Sequence, residues 1–224
     1  MKESVSSCWN TDGWLDLNYR RNRLDVFVSS SFSTFSNSHY KRQDVYDFQY
    51  KGRNINAAYA GDGYNSSKNG FVSVGFNDQL TGNQSLGATY TFTRLFAGNS
   101  DQNYHNYVRQ GDIHTEFNTS SHHFSQSGNH NVSIYYENKF SDKFALNVDG
   151  TYAHNDANGK QTITDIQADG RSTLIPVTEA RSDLGALKTV FTSSVGDAKL
   201  EYGFETTYTR FRQKYNIENR DYSG

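Results

Sequence analysis

The stretch KLEYGFETTYTRF, residues 199–211, decides the fold class of this chain. One parity of the stretch is mostly apolar and aromatic: Leu200, Tyr202, Phe204, Thr206 and Tyr208. The other parity carries two carboxylates, Glu201 and Glu205. This period of two predicts a β-strand with an apolar face and a polar face. The pattern is more than twice as long as the usual soluble strand of about 5–6 residues. It also exceeds the roughly 9–11 residues with which a tilted strand crosses a bilayer.

The composition agrees with such strands and excludes several classes of protein. Only 34% of the 224 residues are hydrophobic and the mean hydropathy is −0.82, which is a poor basis for a soluble core. Sixteen Tyr and fifteen Phe nevertheless argue against disorder. A membrane β-barrel reconciles the two, because only every second strand residue must be apolar. A net charge of −2 argues against nucleic-acid binding, and the single Cys8 excludes a disulfide within the chain.

Four hairpins with this alternation follow one another along the sequence. They cover residues 14–32, 69–96, 131–152 and 182–211, with short turns near residues 22, 82, 142 and 197. Polar segments at 35–67, 97–128 and 155–180 separate them and are expected to be long loops. Short turns at one end and long loops at the other are typical of outer-membrane barrels.

The sequence therefore predicts an all-β fold, an antiparallel up-and-down transmembrane β-barrel or an open segment of one. About eight long strands in four hairpins are expected. Residues 14–211 would form the barrel segment. Residues 1–13 would be a poorly ordered N-terminal extension, and 212–224 a truncated loop or tail.

Two of the hairpins carry a resemblance to a known family. LNYRRNRLDVFVSSSFS (residues 17–33) and NVSIYYENKFSDKFALNVDGTYAHND (residues 131–156) resemble the Bacteroidota outer-membrane β-barrels related to TonB-dependent receptors. The resemblance implies residence in the cell outer membrane and uptake of a bound nutrient, such as a chelated metal or a glycan fragment. A TonB-type partner would supply the energy. Because this chain shows no signal peptide, plug domain or TonB box, we expect it to be an internal piece of a larger barrel.

Three groups of residues are candidates for specific places in such a barrel. The lumen-facing candidates are Glu201, Glu205, Asn147 and Asp149. The lipid-facing or girdle candidates are Trp14, Tyr90, Phe92, Tyr136, Phe144, Tyr152, Tyr202, Phe204 and Tyr208. The candidates for ligand contact in a long loop are Tyr104, Asn106 and Tyr107.

Three weaker patterns suggest metal binding, calcium binding or acid catalysis, but each lacks residues that such a site needs. Five histidines between residues 105 and 130 could hold a metal, yet their spacing matches no zinc pattern and solvated histidines are the simpler interpretation. Residues 155–159 resemble part of a calcium loop without its distal Glu. Glu201 and Glu205 could act as a pair of acids, but nothing else converges on them. We therefore predict a protein that is not an enzyme and has no cofactor or metal.

Two other classes remain open from the sequence. One is a soluble or cell-surface antiparallel β-protein that binds carbohydrate or acts as an adhesin, with its aromatic parity packed on a second sheet. The other is a small outer-membrane barrel enzyme, which would need a nucleophile and a base at one rim. The partners expected for the preferred interpretation are outer-membrane lipid, an unknown small ligand or glycan, and the TonB-type partner through the parent protein.

Overall fold

The computed structural model describes the backbone of residues 7–223 and the side chains of residues 10–36 and 40–218. Eight strands fill the described backbone: β1 (Ser7–Arg21), β2 (Leu24–Tyr50), β3 (Arg53–Thr81), β4 (Gln84–Gln110), β5 (Ile113–Ser141), β6 (Phe144–Gln167), β7 (Gly170–Val195) and β8 (Ala198–Ser223). Each strand pairs antiparallel with the next in a single sheet of order β1 to β8. The predicted all-β, antiparallel, up-and-down fold is confirmed.

The sheet is open in the described residues, because β1 and β8 lie at its two edges. Seven of the strands have 24 to 29 residues, and β1 has 15. A strand of 26 residues is about 85 Å long at roughly 3.3 Å per residue. The sheet also begins earlier and ends later than the predicted bounds of 14 and 211, since β1 starts at Ser7 and β8 ends at Ser223.

The connections differ from the prediction. The short turns near residues 22, 82, 142 and 197 are present, but the three predicted long loops are wrong. Two-residue turns at 51–52, 111–112 and 168–169 lie within those polar segments, and the rest of each segment continues the strands. Lys51 and Gly52 both have positive φ, at 50° and 74°, as a tight two-residue hairpin of type I′ requires.

We call the end of the sheet with turns at 22–23, 82–83, 142–143 and 196–197 the near end. The end with turns at 51–52, 111–112 and 168–169 is the far end. Residues that are directly opposite in the register share a face of the sheet. Face A carries Leu17, Val28, Val74 and Tyr90, and face B carries Asp16, Ser29, Ser73 and Thr91.

Neither face is covered, and no hydrophobic side chain is buried among the described residues. Large apolar side chains are half exposed, for example Leu17 at 58% and Ile134 at 53%. No helix that could cross a bilayer occurs in residues 7–223. The backbone ladder holds the sheet together, and its exposed apolar face is an area of the kind that marks a contact surface.

Two bulges reverse the parity of the far half of two strands. The register between β2 and β3 shifts between Asn37 and Tyr40. The register of β4 shifts around Phe96, against β3 and against β5. Each bulge inserts one extra residue into its strand, so the side chains beyond it change faces. Even-numbered residues of β2 and β4 therefore lie on face A in the near half of the sheet and on face B in the far half.

Candidate functional site

Face A carries a continuous band of apolar side chains next to the near end. We call it the apolar belt. Its members on β1 to β4 are Leu15, Leu17, Tyr19, Leu24, Val26, Val28, Val72, Val74, Phe76, Leu86, Ala88, Tyr90 and Phe92. Its members on β5 to β8 are Val132, Ile134, Tyr136, Phe144, Leu146, Val148, Tyr152, Leu187, Phe191, Leu200, Tyr202, Phe204 and Tyr208.

Aromatic rings bound the belt on its near side. Phe144 stacks on Phe140 with ring centroids 5.4 Å apart and on Phe191 at 6.1 Å. Phe191 in turn stacks on Tyr202 at 5.5 Å. Four rings thus form a row across β5 to β8, close to the near-end turns.

A second, interrupted row of three rings lies at the far side of the belt on β4 to β8. The rings are Tyr90, Tyr152 and Tyr208, and Val132 and Gly185 occupy the positions between them in the register. The Tyr152 hydroxyl donates to Asp183 Oδ1 at 2.9 Å, and the Tyr90 hydroxyl lies 2.8 Å from Nδ1 of His130.

Tyr90 and Tyr152 therefore have an apolar body in the belt and a hydroxyl paired with polar side chains beyond it. The two rows are six residues apart on β8 and eight apart on β6, or about 20–26 Å.

Face B is polar at the same level of the sheet, and the four lumen-facing candidates lie on it. Lys188 of β7 is directly opposite Asp149 on one side and Glu205 on the other. Glu201 pairs with Lys199, whose Nζ lies 2.6 Å from its Oε1. The three carboxylates among these candidates are thus placed next to lysines. Directly opposite Glu201 and Glu205 in the register are Thr192 and Lys188, so neither glutamate faces a second acid across the strands.

Trp14 is an exception among the lipid-facing candidates. The other eight candidates lie on face A within the belt, whereas Trp14 is opposite Ser31 and shares face B with Asp16. Its grouping with the belt residues is therefore wrong. The sequence held the signal, because Trp14 has the opposite parity to Leu15 and Leu17. Its indole is 77% exposed.

A group of tyrosines lies on face B toward the far end, well beyond the level of the belt. We call Tyr46, Tyr59 and Tyr104, with Arg42 and Asp44, the tyrosine cluster. Asp44 is opposite Tyr59 in the register of β2 and β3, and Tyr104 of β4 is opposite Gly61 of β3. The bulges in β2 and β4 place Tyr46 and Tyr104 on this face beside Tyr59.

Two glycines of β3 make room for these rings. A Cβ on Gly61 would lie 2.5 Å from Tyr104 Cδ1 and 2.1 Å from the Asn103 carbonyl oxygen. A Cβ on Gly63 would lie 2.4 Å from the ring of Tyr40. The rings can lie flat over the strand only because both positions lack a side chain.

The cluster is held together by ring contacts and hydrogen bonds. Tyr59 stacks on Tyr46 with centroids 6.0 Å apart and meets Tyr104 edge to face at 5.4 Å. The guanidinium carbon of Arg42 lies 5.5 Å from the Tyr59 ring centroid. Asp44 accepts hydrogen bonds from the Tyr59 hydroxyl and from Arg42 Nε. The rings are thus fixed in place while Tyr46 remains 48% exposed.

The same contacts shift the acid-base behaviour of the cluster. The hydrogen bond to Asp44 raises the pKa of Tyr59, and burial raises the pKa of Tyr104. The hydrogen bond to Asp44 also raises the pKa of Arg42. At neutral pH Tyr59 and Tyr104 therefore present protonated phenols, next to one guanidinium paired with a carboxylate. Such a surface offers flat apolar rings with hydrogen-bonding groups at their edges.

The three loop candidates are strand residues, so their assignment to a loop is wrong. Tyr104, Asn106 and Tyr107 lie in β4, close to the turn at 111–112. Tyr104 and Asn106 are on face B, and Asn106 Nδ2 donates to Thr119 Oγ1 at 2.9 Å. Tyr107 is on face A, opposite Ala58 and Glu116. Only Tyr104 belongs to the cluster.

The histidines are dispersed over the sheet. His122 and His123 point to opposite faces, and His122 pairs with Asp101. His130 contacts the Phe92 ring at a centroid distance of 4.6 Å. No group of three His, Cys, Asp or Glu side chains that could hold a metal ion occurs in the part of the chain that the structure describes. Residues 155–159 are part of β6.

Comparisons with known proteins give no family. No protein-family model matches the chain, and no curated protein matches it. The chain is weakly similar to the ferric preacinetobactin receptor BauA of Acinetobacter baumannii, at 9% identity and a TM-score of 0.29, covering 94% of this chain and 44% of the receptor. The chain thus spans less than half of that receptor.

Two further solved structures show a weaker similarity. The ferric-catecholate import receptor Fiu of E. coli has 8% identity and a TM-score of 0.19, covering 96% of this chain and 64% of the receptor. The outer membrane protein OmpT of Vibrio cholerae has 8% identity and a TM-score of 0.16, covering 96% and 100%.

Proposed function

We propose that this chain forms part of an outer-membrane β-barrel, with face A against lipid and face B toward the lumen. One observation carries the proposal: an exposed apolar belt runs along face A and lies between two rows of aromatic rings on β5 to β8, in a sheet that has no buried hydrophobic side chain in its described residues. Lipid-facing bands of β-barrels are about 25 Å tall and are flanked by aromatic girdles. The two rows are about 20–26 Å apart along the strands, which is about 14–21 Å along the axis of a barrel whose strands tilt by about 35–45°, so they would lie just inside the borders of such a band.

The position of the belt suggests the orientation. The belt adjoins the near end, so the near-end turns extend only a short way beyond it. The far halves of the strands extend much further, and outer-membrane barrels carry their longer parts on the extracellular side. The near end would therefore face the periplasm, and the tyrosine cluster would line the extracellular mouth of the lumen.

The function that fits this arrangement is binding and uptake of a nutrient, without catalysis. The rings of Tyr46 and Tyr104 could stack on the flat faces of a sugar or of an aromatic chelator, while Arg42 and Asp44 contact its polar groups. The resemblance of residues 17–33 and 131–156 to TonB-dependent-receptor-like barrels supports a transport role. Energy coupling to a TonB-type partner would take place through the parent protein.

Site-specific quenching tests the membrane assignment. Val132 and Asn131 are exposed neighbours in β5 on opposite faces. Each is replaced by Cys in a Cys8→Ser chain, labelled with a fluorophore, and folded into lipid vesicles. Quenchers attached to lipid chains should act on the Val132 label, and a water-soluble quencher should act on the Asn131 label. A far-UV spectrum and a heat-modifiable gel shift establish that each variant has folded.

The main alternative makes the opposite prediction. In a soluble or cell-surface β-protein, the belt would be packed on a second sheet. The chain would then fold in plain buffer, and lipid quenchers would not reach the Val132 label. That result would contradict the membrane assignment and favour a carbohydrate-binding or adhesive β-protein.

A further inference from the structure

Three arginines lie on face A immediately beyond the far border of the apolar belt. Arg210 of β8 follows Tyr208, the last belt residue of that strand, on the same face. Arg212 is the next face A residue of β8, and it is directly opposite Arg181 of β7. All three side chains are exposed.

Arg181 and Arg212 form an unfavourable pair as the chain stands. Side chains directly opposite on one face are about 5 Å apart at Cβ, and like charges there repel. A neutral residue at either position would remove the repulsion, but this chain has an arginine at both. A shared anion between them would convert the repulsion into attraction.

The two carboxylates directly opposite these arginines already have other hydrogen-bond or ion-pair partners. Asp183 is opposite Arg210, but its Oδ1 accepts hydrogen bonds from Tyr152 and lies 2.7 Å from His154 Nδ1. Asp156 is opposite Arg181, but its Oδ2 pairs with Arg94 Nη1 at 3.3 Å.

Within the described side chains, no ion pair joins a carboxylate to Arg181, Arg210 or Arg212. The ion pair between Glu179 and Lys214, which lies next to Arg181 and Arg212 on the same face, is long, with 3.9 Å between Nζ and Oε2.

We infer that Arg181, Arg210 and Arg212 bind the phosphate groups of a lipid headgroup in the leaflet that borders the far side of the belt. This rests on the proposed membrane location of face A. Guanidinium groups present a planar fork of donors that matches phosphate oxygens. The site lies one to two face A positions past the row of Tyr90, Tyr152 and Tyr208, which is the level where headgroups replace acyl chains. A lipid that carries phosphate on its headgroup would therefore meet all three arginines while its chains cover the belt.

The test uses the full chain folded in an uncharged glycoside detergent. The probes are diphosphorylated lipid A, the same lipid with its phosphates removed, and inorganic phosphate alone. Binding is measured by native mass spectrometry and by the temperature at which the heat-modifiable gel band is lost. The test variant is R181Q/R212Q. The control variant is R171Q, on the same face of β7 but ten residues further from the belt.

We expect wild type and R171Q to bind the diphosphorylated lipid equally and R181Q/R212Q to bind it at least tenfold more weakly. Without lipid, the double variant should melt at the same temperature as wild type or higher, because it lacks the repelling pair. Equal binding by all three proteins, or equal binding of the dephosphorylated lipid, would overturn the assignment. Inorganic phosphate that binds as tightly as the lipid would assign the site to free phosphate instead.

Failure of this inference is distinct from failure of the proposed function. If face A does not meet lipid, the Val132 label is not quenched by lipid quenchers. If only the headgroup site is wrong, that quenching persists and R181Q/R212Q binds lipid A as wild type does.

Discussion

A charge introduced within the belt gives the sharpest measure of the proposed environment. Ile134 lies in the belt on β5, two residues from the level of the far row of rings and between Ala88 and Gly150 of the neighbouring strands, and is 53% exposed. Its neighbour Ser133 is also exposed but points to face B, between Thr89 and Thr151. Ile134→Arg would place a guanidinium against lipid chains, whereas Ser133→Arg would place it in a polar lumen.

The expected magnitude follows from the depth of Ile134. An arginine on the lipid face costs about 2–4 kcal/mol at the bilayer midplane and about 0–1 kcal/mol near the interfaces, so we expect about 1–3 kcal/mol at Ile134. This corresponds to a roughly 5- to 150-fold decrease in the folding equilibrium constant. Ser133→Arg should change the free energy of unfolding by less than about 0.5 kcal/mol, as solvated surface substitutions do.

The assay is reversible denaturant unfolding of the chain in lipid vesicles, followed by the intensity of the folded gel band. Both variants carry the same new charge and occupy adjacent positions of one strand, so differences in expression or net charge cancel. Equal destabilisation by the two substitutions would refute the assignment of face A to lipid and face B to the lumen. A larger destabilisation by Ser133→Arg would instead place face B against lipid.

Three further outcomes test other parts of the structure. Gly61→Ala should destabilise the chain by about 1–3 kcal/mol, because its Cβ would lie 2.1 Å from a carbonyl oxygen. In the control Gly159→Ala, the nearest atom is 3.6 Å from the new Cβ, so the free energy of unfolding should change little. Equal denaturation midpoints of the two variants would contradict the cluster geometry. Because the pKa of Tyr59 is raised in the folded chain, its stabilisation is present below the ordinary phenol pKa of about 10 and is lost as the pH rises through the folded value. Wild type should thus lose stability more steeply than Tyr59→Phe at alkaline pH, and parallel profiles would be evidence against the Asp44 hydrogen bond. In a Trp9→Phe chain in vesicles, acrylamide should quench the fluorescence of Trp14 and brominated lipid should not. Quenching by the brominated lipid would contradict the placement of Trp14 on face B.

The near half of the sheet could be predicted from the sequence because its alternation has a strong chemical contrast. In residues 199–211 the apolar parity faces one side and the carboxylates the other, and the register confirms that Tyr202 and Phe204 share face A with Phe191 and Thr189. The near-end turns carry Asn, Gly and Asp, which favour tight turns.

The far half was missed because both of its faces are polar. Ser, Thr and Asn alternate with Tyr, Gln and His there, so the period of two carries no hydrophobic contrast. Lys51-Gly52 and Gly111-Asp112 are turn sequences within these segments, but Gly61-Asp62-Gly63 and Asn158-Gly159 look equally turn-like and lie inside strands.

The tyrosine cluster could not be predicted because bulges and register create it. Tyr46, Tyr59 and Tyr104 come from three strands, and parity counted from the belt would place Tyr46 and Tyr104 on face A. Only the extra residues at the bulges turn them to face B. The one local signal is the repeated spacing of two in Tyr40, Arg42, Asp44 and Tyr46.

The length of the strands has an electrostatic consequence for any ligand of the cluster. Tyr59 is thirteen residues beyond Val72, the last belt residue of β3, which is about 43 Å along the strand and about 30 Å above the belt once the strand is tilted. The Debye length at physiological ionic strength is about 8 Å. In the proposed membrane orientation, the negative potential of the headgroups therefore decays through more than three screening lengths before it reaches the cluster. An anionic ligand could be captured there without repulsion from the membrane surface, and its affinity should not depend on the charge of the surrounding lipid.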